Sequence, residues 1–246
     1  MKNIPDDCKG YYDLGDSYFW IAAHCDLVTR FVEPLVKKRE NPRETMILDA
    51  GCGYGSLISR LKSYGKITGL DTSLDACSFC RNKYAVALTQ ASAENTPFRD
   101  NTFDFVFATE VIEHIRNDGE AMKELYRILK PKGYLIVTVP AFMCLWGHHD
   151  EQYGHIRRYT KEKFLKIAAQ AGFSVKESHY FKFFLFLPLL ALRKAKQIAS
   201  SKSDDFYKIN PFLNFLLHKL LNLEIPLCSI MELPVGANLF TILRKD

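Results

Sequence analysis

The segment Met46–Ser56, MILDAGCGYGS, constrains the fold of this chain more than any other part of it. Its first residues predict a buried strand that ends in an acid, Asp49, and glycines then occupy every second position from 51 to 55. Such glycines allow a tight turn that exposes backbone N–H groups to a ligand. Apolar residues recur with helical spacing after the turn, so a helix should begin near Ser56. A strand, a glycine turn and a helix form the start of a nucleotide-binding α/β unit.

Two acids indicate which ligand this turn binds. The turn differs from the dinucleotide fingerprint G-x-G-x-x-G, because its third glycine comes one residue early. Asp49 would repel a pyrophosphate but suits a cationic group such as an amino-acid ammonium. Asp71 ends the next predicted strand 20 residues after Gly51, the separation at which an acid accepts hydrogen bonds from ribose hydroxyls. The alternative is that Asp71 caps the next helix, a role that Thr72 or Ser73 could also fill.

These residues resemble motif I of the class I S-adenosylmethionine-dependent methyltransferases. The segment 90–115 strengthens the resemblance, because relatives commonly read Asp-Ala-Glu, Pro-Phe and Asp-x-x-Phe-Asp before the fourth strand. This chain matches that pattern except at Ser92, which replaces the acid that receives the adenine amino group. The resemblance implies S-adenosylmethionine as cofactor and S-adenosylhomocysteine as product. The cofactor-binding residues that it implies are Asp49, Gly51, Gly53, Gly55, Asp71, Thr72, Ser92, Ala93, Glu94, Thr109 and Glu110.

The resemblance also implies an α/β fold with a Rossmann-like, seven-stranded sheet that is mostly parallel and has an antiparallel last strand. Residues 1–40 then form an N-terminal helical lid, and residues 41–181 with 236–246 form the cofactor-binding domain. Relatives usually join the last two strands by a short turn. Here residues 182–235 intervene and predict a helical insertion that is apolar and basic.

The N-terminal lid should contain an amphipathic helix over residues 17–38, with Pro34 as a candidate end. Similar methyltransferases often begin with a Phe-Trp helix that covers the cofactor, so Tyr18 and Trp20 are candidate substrate-binding residues. Packing on a helix face is the alternative for both. Relatives usually place an arginine at or near the position of His24, and this chain lacks it.

The segment 146–159, WGHHDEQYGHIRRY, follows the fifth predicted strand. Many bacterial methyltransferases that act on small molecules or envelope sugars carry a similar segment, which implies that it binds the substrate. The candidate residues are His148, His149, Arg158 and Tyr159. Zinc binding by the histidines and Asp150 is one alternative, but no thiolate or regular ligand spacing supports a metal site. A purely structural loop is the other.

A general base is needed only if the methyl acceptor must lose a proton. A histidine with an ordinary pKa of about 6.5 suits that role at neutral pH. Their positions make His155 and His114 the predicted catalytic residues, with Glu110 and Tyr159 shaping the pocket. Glu110, Glu113 and His114 are predicted to open the helix after the fourth strand, with Glu110 and His114 on one face.

The methyl acceptor is expected to be a small molecule, a lipid or a sugar, methylated on oxygen or carbon. The net charge of +5 over 246 residues is too small to indicate a nucleic-acid partner. The chain also lacks an Asn-Pro-Pro-aromatic segment after the fourth strand and any Pro-Cys dipeptide, which speaks against methylation of nucleic-acid bases. The lack of an N-terminal signal pattern and the seven cysteines, an odd number, are typical of a reduced, cytoplasmic protein.

The segment 182–227 allows two interpretations, a helical cap over the substrate cleft or a cap that also contacts a membrane surface. Its ten-residue apolar run has basic flanks and is too short to span a bilayer. Two other classes of function compete with methyl transfer. One is a non-catalytic module of the methyltransferase fold at a membrane surface. The other is a nicotinamide-dependent oxidoreductase, which Asp49 and the short glycine turn disfavour.

Overall fold

Seven strands form one sheet in the order β3-β2-β1-β4-β5-β7-β6. The computed structural model describes residues 15–199 and 209–246, without the side chain of Asp16. The strands are Met46–Ala50 (β1), Lys66–Asp71 (β2), Ala87–Gln90 (β3), Phe103–Thr109 (β4), Leu129–Pro140 (β5), Ser174–Phe181 (β6) and Asn238–Arg244 (β7). Strand β7 is antiparallel to β5 and β6, and the other paired strands are parallel. The predicted sheet with its antiparallel last strand is therefore confirmed.

Helices cover both faces of the sheet, and each face has its own apolar layer. The helices are Phe19–Lys37 (α1), Ser56–Leu61 (α2), Leu74–Tyr84 (α3), Asp118–Ile128 (α4), His148–Gln152 (α5), Lys161–Gln170 (α6), Phe186–Ile198 (α7) and Pro211–Ile230 (α8). Successive residues of a strand point to opposite faces. Ile47 accordingly packs with side chains of α1, α2 and α8, whereas its neighbour Leu48 packs with side chains of α4 and α6. The carboxyl ends of the parallel strands form the edge of the sheet at which ligands are expected to bind.

The predicted helical insertion contains α7 and α8, and α8 is hydrogen-bonded to the N-terminal helix α1. Asn214 accepts a hydrogen bond from the Phe19 N–H at 2.8 Å, and His218 pairs with Asp26 at 2.8 Å. The insertion thus packs against the helix predicted to cover the cofactor. Residues 1–14 of the predicted lid and 200–208 of the insertion lie outside the described residues. Within the described part, no helix has the length and apolarity that crossing a bilayer requires.

The helix predicted over residues 17–38 is confirmed as Phe19–Lys37, and it does not end at the candidate position Pro34, because Val32 and Val36 both stay on its buried face. One local prediction is wrong. Glu110 and His114 do not share one face of a helix. Glu110 has a φ of +56°, which stops regular structure after β4, and only a single 3₁₀ turn at Ile112–His114 follows.

Candidate active site

The glycine turn and Asp71 form one hydrogen-bonded unit at the carboxyl ends of β1 and β2. Gly51 and Gly55 both have a φ of +81°, and a Cβ on Gly55 would lie 2.4 Å from the ring of Tyr84. The Asp71 carboxylate accepts the N–H groups of Gly53 at 2.9 Å and of Ser73 at 2.8 Å. Its oxygens have further lone pairs that could accept ribose hydroxyl groups. Asp71 therefore holds the turn and can also serve the role predicted for it.

Asp49 is a buried acid at the end of β1 whose Oδ2 atom has no hydrogen-bond partner among the described residues. Burial, together with the nearby charge of Asp71, raises the pKa of Asp49 to about 7. A buried carboxylate oxygen without a partner is costly, and a cationic ligand group would satisfy it. The residues at the turn therefore fit the ammonium group of S-adenosylmethionine.

The other predicted cofactor residues lie at or after the ends of β2, β3 and β4. Thr72 follows Asp71 and is exposed. The hydroxyl of Ser92 accepts the Glu94 N–H at 3.3 Å, so Ser92, Ala93 and Glu94 form a local turn. Binding of the adenine by this turn stays a prediction.

Glu110 follows Thr109, the last residue of β4, and its backbone conformation is strained. Its φ of +56° is rare for a residue with a side chain, and strain of this kind concentrates at functional sites. The Glu110 carboxylate accepts a hydrogen bond from Asn238 at 3.0 Å, and Asn238 in turn accepts one from Lys182 at 3.0 Å. Although burial opposes ionisation, nearby basic groups, among them the Lys182 ammonium, keep the pKa of Glu110 below its usual value. An ionised carboxylate thus stands at the ligand edge of the sheet.

A cavity of about 190 Å³ lies beside Glu110, between α1, α7 and the segment after β5. Helix α7 and the residue before it line it with Leu185, Pro188, Leu189 and Leu192. Tyr18 and Trp20 of the N-terminal region line it too, as do His149, His155, Arg158 and Arg193. The cavity therefore combines an apolar wall with a few polar side chains, which is the usual character of a small-molecule site.

Asp150 organises the polar wall of the cavity. Its fully buried carboxylate accepts hydrogen bonds from His155 Nδ1 at 2.9 Å, Arg158 Nε at 2.8 Å and Arg193 Nη1 at 3.1 Å. Burial favours the protonated acid, but the His155 hydrogen bond and the two arginines hold the pKa of Asp150 well below its usual range. The histidine and both arginines are therefore fixed around one ionised acid.

The structure brings some of the predicted substrate and catalytic residues to the cavity and leaves others outside its lining. Tyr18, Trp20, His149, Arg158 and His155 line it. His148 instead faces Glu151, with 3.9 Å between His148 Nδ1 and Glu151 Oε2. Tyr159 is buried, and its hydroxyl donates a hydrogen bond to Asp118 at 2.9 Å. His114 lies behind His155, with 4.8 Å between the ring centroids.

Three polar residues around the cavity were not predicted as site residues, namely Lys182, Arg193 and Asn238. Lys182 is fully buried, and its Nζ lies 3.6 Å from the centroid of the Trp20 ring. Burial lowers the pKa of Lys182 to about 7. Burial and the Lys182 charge lower the pKa of His24 to about 4, so a neutral imidazole occupies the region where relatives usually have arginine. A sequence signal existed for Lys182 and Arg193, because both are cations that flank an apolar run.

Comparison with known proteins identifies the domain that carries this site. The sequence profile of a family described as a methyltransferase domain matches residues 48–137, which contain the glycine turn and Glu110. The chain carries a class I S-adenosylmethionine-dependent methyltransferase domain. An S-adenosylmethionine-dependent methyltransferase from Thermotoga maritima aligns with a TM-score of 0.61 and 21% identity, covering 99% of this chain and 98% of that one. At this identity, the likeness supports the methyltransferase fold alone.

The sequence relatives match part of the chain rather than the whole chain. An uncharacterised protein of Methanocaldococcus jannaschii is 40% identical over 114 residues, which cover 46% of this chain and 49% of that protein. A demethylmenaquinone methyltransferase of Chlorobaculum tepidum is 33% identical over 151 residues, which cover 57% of this chain and 59% of that protein. The chain therefore spans about half the length of these relatives.

Proposed function

We propose that this protein transfers the methyl group of S-adenosylmethionine to a small-molecule acceptor with an extended apolar part. The observation that carries the proposal is the position of the cofactor turn. Asp49, Asp71 and the glycines share the ligand edge of the sheet with Glu110, which lines the apolar cavity. A methyl donor and an acceptor at neighbouring strand ends can be held in line for transfer, and alignment supplies much of the catalysis.

Different residues of the chain would bind different parts of the cofactor and the acceptor. Asp49 would hold the ammonium group of the cofactor, and Asp71 its ribose hydroxyls. S-adenosylmethionine, when bound, supplies an activated methyl group on a sulfonium. The leucines of α7 would exclude water from the acceptor, while Arg158 and Arg193 would orient an anionic or hydroxyl-bearing end. His155 and His114 remain the predicted proton acceptors.

The acceptor class rests on the wall of the cavity and on the relatives. Leu185, Leu189 and Leu192 offer an apolar surface to a lipid-like or other apolar substrate. The Chlorobaculum tepidum relative is named for demethylmenaquinone, and other relatives are named for malonyl-[acyl-carrier protein] and a sterol. We infer from both that the acceptor is a small molecule or a lipid-type compound and that the methyl group goes to oxygen or carbon.

Ligand-induced thermal stabilisation tests the cofactor. We expect S-adenosylmethionine and S-adenosylhomocysteine at 100 times their dissociation constants to stabilise the protein by about 2.7 kcal/mol, roughly 5–10 °C. The Asp71→Ala variant should lose this shift, because it loses the acceptor for the ribose hydroxyls. The Asp100→Ala variant, which changes an exposed acid on the protein surface, should keep it. Each shift is measured against the melting temperature of the same variant without ligand. A change in the stability of the fold is therefore not counted as an effect of the ligand.

Other outcomes of this experiment would favour the competing functions. Stabilisation by NAD, and not by the two sulfur compounds, would favour the nicotinamide oxidoreductase. If none of the three ligands changes the melting temperature, the methyl-transfer proposal fails and the non-catalytic binding module is preferred.

We also propose that the insertion contacts a lipid surface. The exposed face of α8 carries Phe212, Phe215, Leu216, Leu223 and Ile230 at helical spacing, with Lys219 among them. The exposed face of α7 repeats the pattern with Leu187, Lys194 and Ile198. An apolar helix face with lysines suits the boundary between headgroups and acyl chains of an anionic membrane. Such contact would place the cavity close to a lipid-type acceptor.

Flotation with vesicles tests the lipid contact. We expect the protein to float with phosphatidylglycerol-containing vesicles, less at high salt, and the Phe212→Ser, Phe215→Ser double variant to bind at least 10-fold more weakly. The loss corresponds to about 1.4 kcal/mol or more. Leu74→Ser is the matched control, because Leu74 is equally exposed on α3, outside the insertion. Equal flotation of the double variant and the control would contradict the lipid contact.

A further inference from the structure

A cluster of three metal-binding side chains lies behind the polar wall of the cavity. One carboxylate oxygen of Glu113 and one nitrogen from each of His114 and His155 lie within 4.8 Å of one another. Metal–ligand bonds of about 2.0–2.2 Å put neighbouring donor atoms about 3–4 Å apart, so small side-chain rotations would bring the three to bonding distance. The cluster joins the 3₁₀ turn after β4 to the segment after β5, two parts of the chain that meet only in the folded protein.

Glu113 is the residue in this cluster that needs a partner. It is fully buried, and neither carboxylate oxygen receives a hydrogen bond from another described residue. Its closest basic atom in the cluster is His155 Nε2, at 3.8 Å from Oε1. A buried carboxyl group without hydrogen bonds is costly, and a bound cation removes that cost. The position of Glu113 is therefore hard to explain by packing alone.

Both histidines are oriented as metal ligands usually are. The Nδ1 atom of His155 shares a hydrogen bond with the Asp150 carboxylate at 2.9 Å, and that of His114 lies 3.3 Å from the Gly154 carbonyl oxygen. If each Nδ1 carries the proton, each Nε2 lone pair is free to bind a cation. A metal-binding histidine typically donates its other N–H to a carboxylate or a backbone carbonyl in this way.

We propose that Glu113, His114 and His155 bind one divalent transition-metal cation. Two imidazoles and a carboxylate favour Zn²⁺, Mn²⁺, Fe²⁺ or Co²⁺ over Mg²⁺ and Ca²⁺, which prefer oxygen ligands. Three protein ligands leave positions open on the cation, as in catalytic metal sites. His155 belongs both to the cluster and to the cavity wall, so these positions can take an oxygen atom of a molecule in the cavity.

If the cation contacts the proposed methyl acceptor, that acceptor must carry an oxygen atom that can bind a metal. This last step rests on the proposed methyl transfer, whereas the binding of the cation does not. The prediction of His155 as general base is an alternative to the site, because Nε2 cannot bind a metal and a proton together. The zinc-binding alternative in the sequence involves only the segment 146–159, whereas the turn after β4 supplies two of the three ligands proposed here.

Metal titration of the whole chain, freed of metal by a chelator, tests the proposal. We expect one Co²⁺ per chain with visible d–d absorption and without the thiolate charge-transfer band that binding to cysteine would produce. Mn²⁺ or Zn²⁺ should compete for the same site. Glu113→Gln should bind Co²⁺ at least 10-fold more weakly and still fold, because the amide has the shape of the uncharged acid. His155→Gln should also lose at least 10-fold in affinity.

His218→Gln is the matched control, because His218 also pairs with a carboxylate, Asp26, but lies on α8 away from the cluster. It should bind Co²⁺ like the unaltered protein. The absence of stoichiometric binding, or equal binding by Glu113→Gln and the control, would overturn the proposal. S-adenosylhomocysteine is titrated in parallel. Stabilisation by this ligand without Co²⁺ binding would reject the metal site alone, and Co²⁺ binding without such stabilisation would support the site while contradicting methyl transfer.

Discussion

The affinity of the protein for S-adenosylhomocysteine should increase as the pH rises from 5.5 to 7, and level off above 7. The pKa of Asp49 is raised to about 7 by burial and by Asp71, so the acid is largely protonated at pH 5.5 in the free protein. Binding of the ligand ammonium requires the ionised form of Asp49, and the amino group of the ligand stays protonated throughout this pH range. The dissociation constant should therefore fall by nearly 10-fold per pH unit well below pH 7. Isothermal titration calorimetry at a series of pH values measures it.

Asp49→Asn should remove this pH dependence and weaken binding by about 10–100-fold at pH 7.5, the loss of one charge-assisted hydrogen bond. The same variant should be more stable than the unaltered protein in the absence of ligand. An acid whose folded pKa lies above its unfolded pKa destabilises the fold as the pH rises from about 4 to 7, and the cost stays constant above 7. A shift from 3.8 to about 7 sets an upper limit of about 4 kcal/mol, so we expect a gain of about 1–3 kcal/mol at pH 8.

Asp100→Asn is the control for both measurements, because Asp100 is exposed and pairs with Arg127 at the surface. It should keep the affinity and the pH dependence of the unaltered protein. If Asp49→Asn retains the pH dependence, another group binds the ammonium. If Asp49→Asn is more stable and binds the ligand more weakly, then Asp49 destabilises the fold but is required for binding its ligand.

The cofactor half of the site could be predicted from sequence because it is local. Asp49, the glycines and Asp71 belong to one strand–turn–helix–strand unit, in which the spacing of residues along the chain fixes their spacing in the fold. The end of β4 was also predictable, since parallel strands end at one edge of the sheet. The backbone conformation of Glu110 was not predictable, because a positive φ is usual for glycine and the sequence has no glycine at this position.

The acceptor half could not be predicted because it is assembled from distant segments. Trp20, Glu110, His155 and Arg193 meet only after α1, the strand ends and the insertion have packed together. Asp150 shows the difficulty. In the sequence it is one acid in a loop rich in histidine and arginine, and its alternative role there was to bind zinc. Its actual partners include Arg193, 43 residues further along the chain. Nothing in the local pattern indicates that pairing.

Asp150→Ala should cause the largest loss of stability of any variant considered for this protein. Asp150 is fully buried and neutralises Arg158 and Arg193, which are both more than nine-tenths buried. Its removal leaves two guanidinium groups buried without their acid, and breaking a buried ion pair from one side costs about 3–5 kcal/mol. We expect the melting temperature to fall by roughly 10 °C, since 1 kcal/mol corresponds to about 2–4 °C for a chain of this size. Differential scanning calorimetry measures the change.

Asp150→Asn and Glu151→Ala separate charge from hydrogen bonding at this position. The asparagine retains an oxygen that accepts a hydrogen bond but not the charge, so its loss of stability should lie between those of the alanine variant and the unaltered protein. Glu151 is the exposed neighbour on the same helix, and its substitution should change stability by less than about 0.5 kcal/mol. Stabilisation by S-adenosylhomocysteine should persist in Asp150→Ala, because no hydrogen bond joins Asp150 to Asp49 or Asp71. If Asp150→Ala melts within 2 °C of Glu151→Ala, the two arginines are satisfied elsewhere, and the acid does not organise the acceptor side of the cavity.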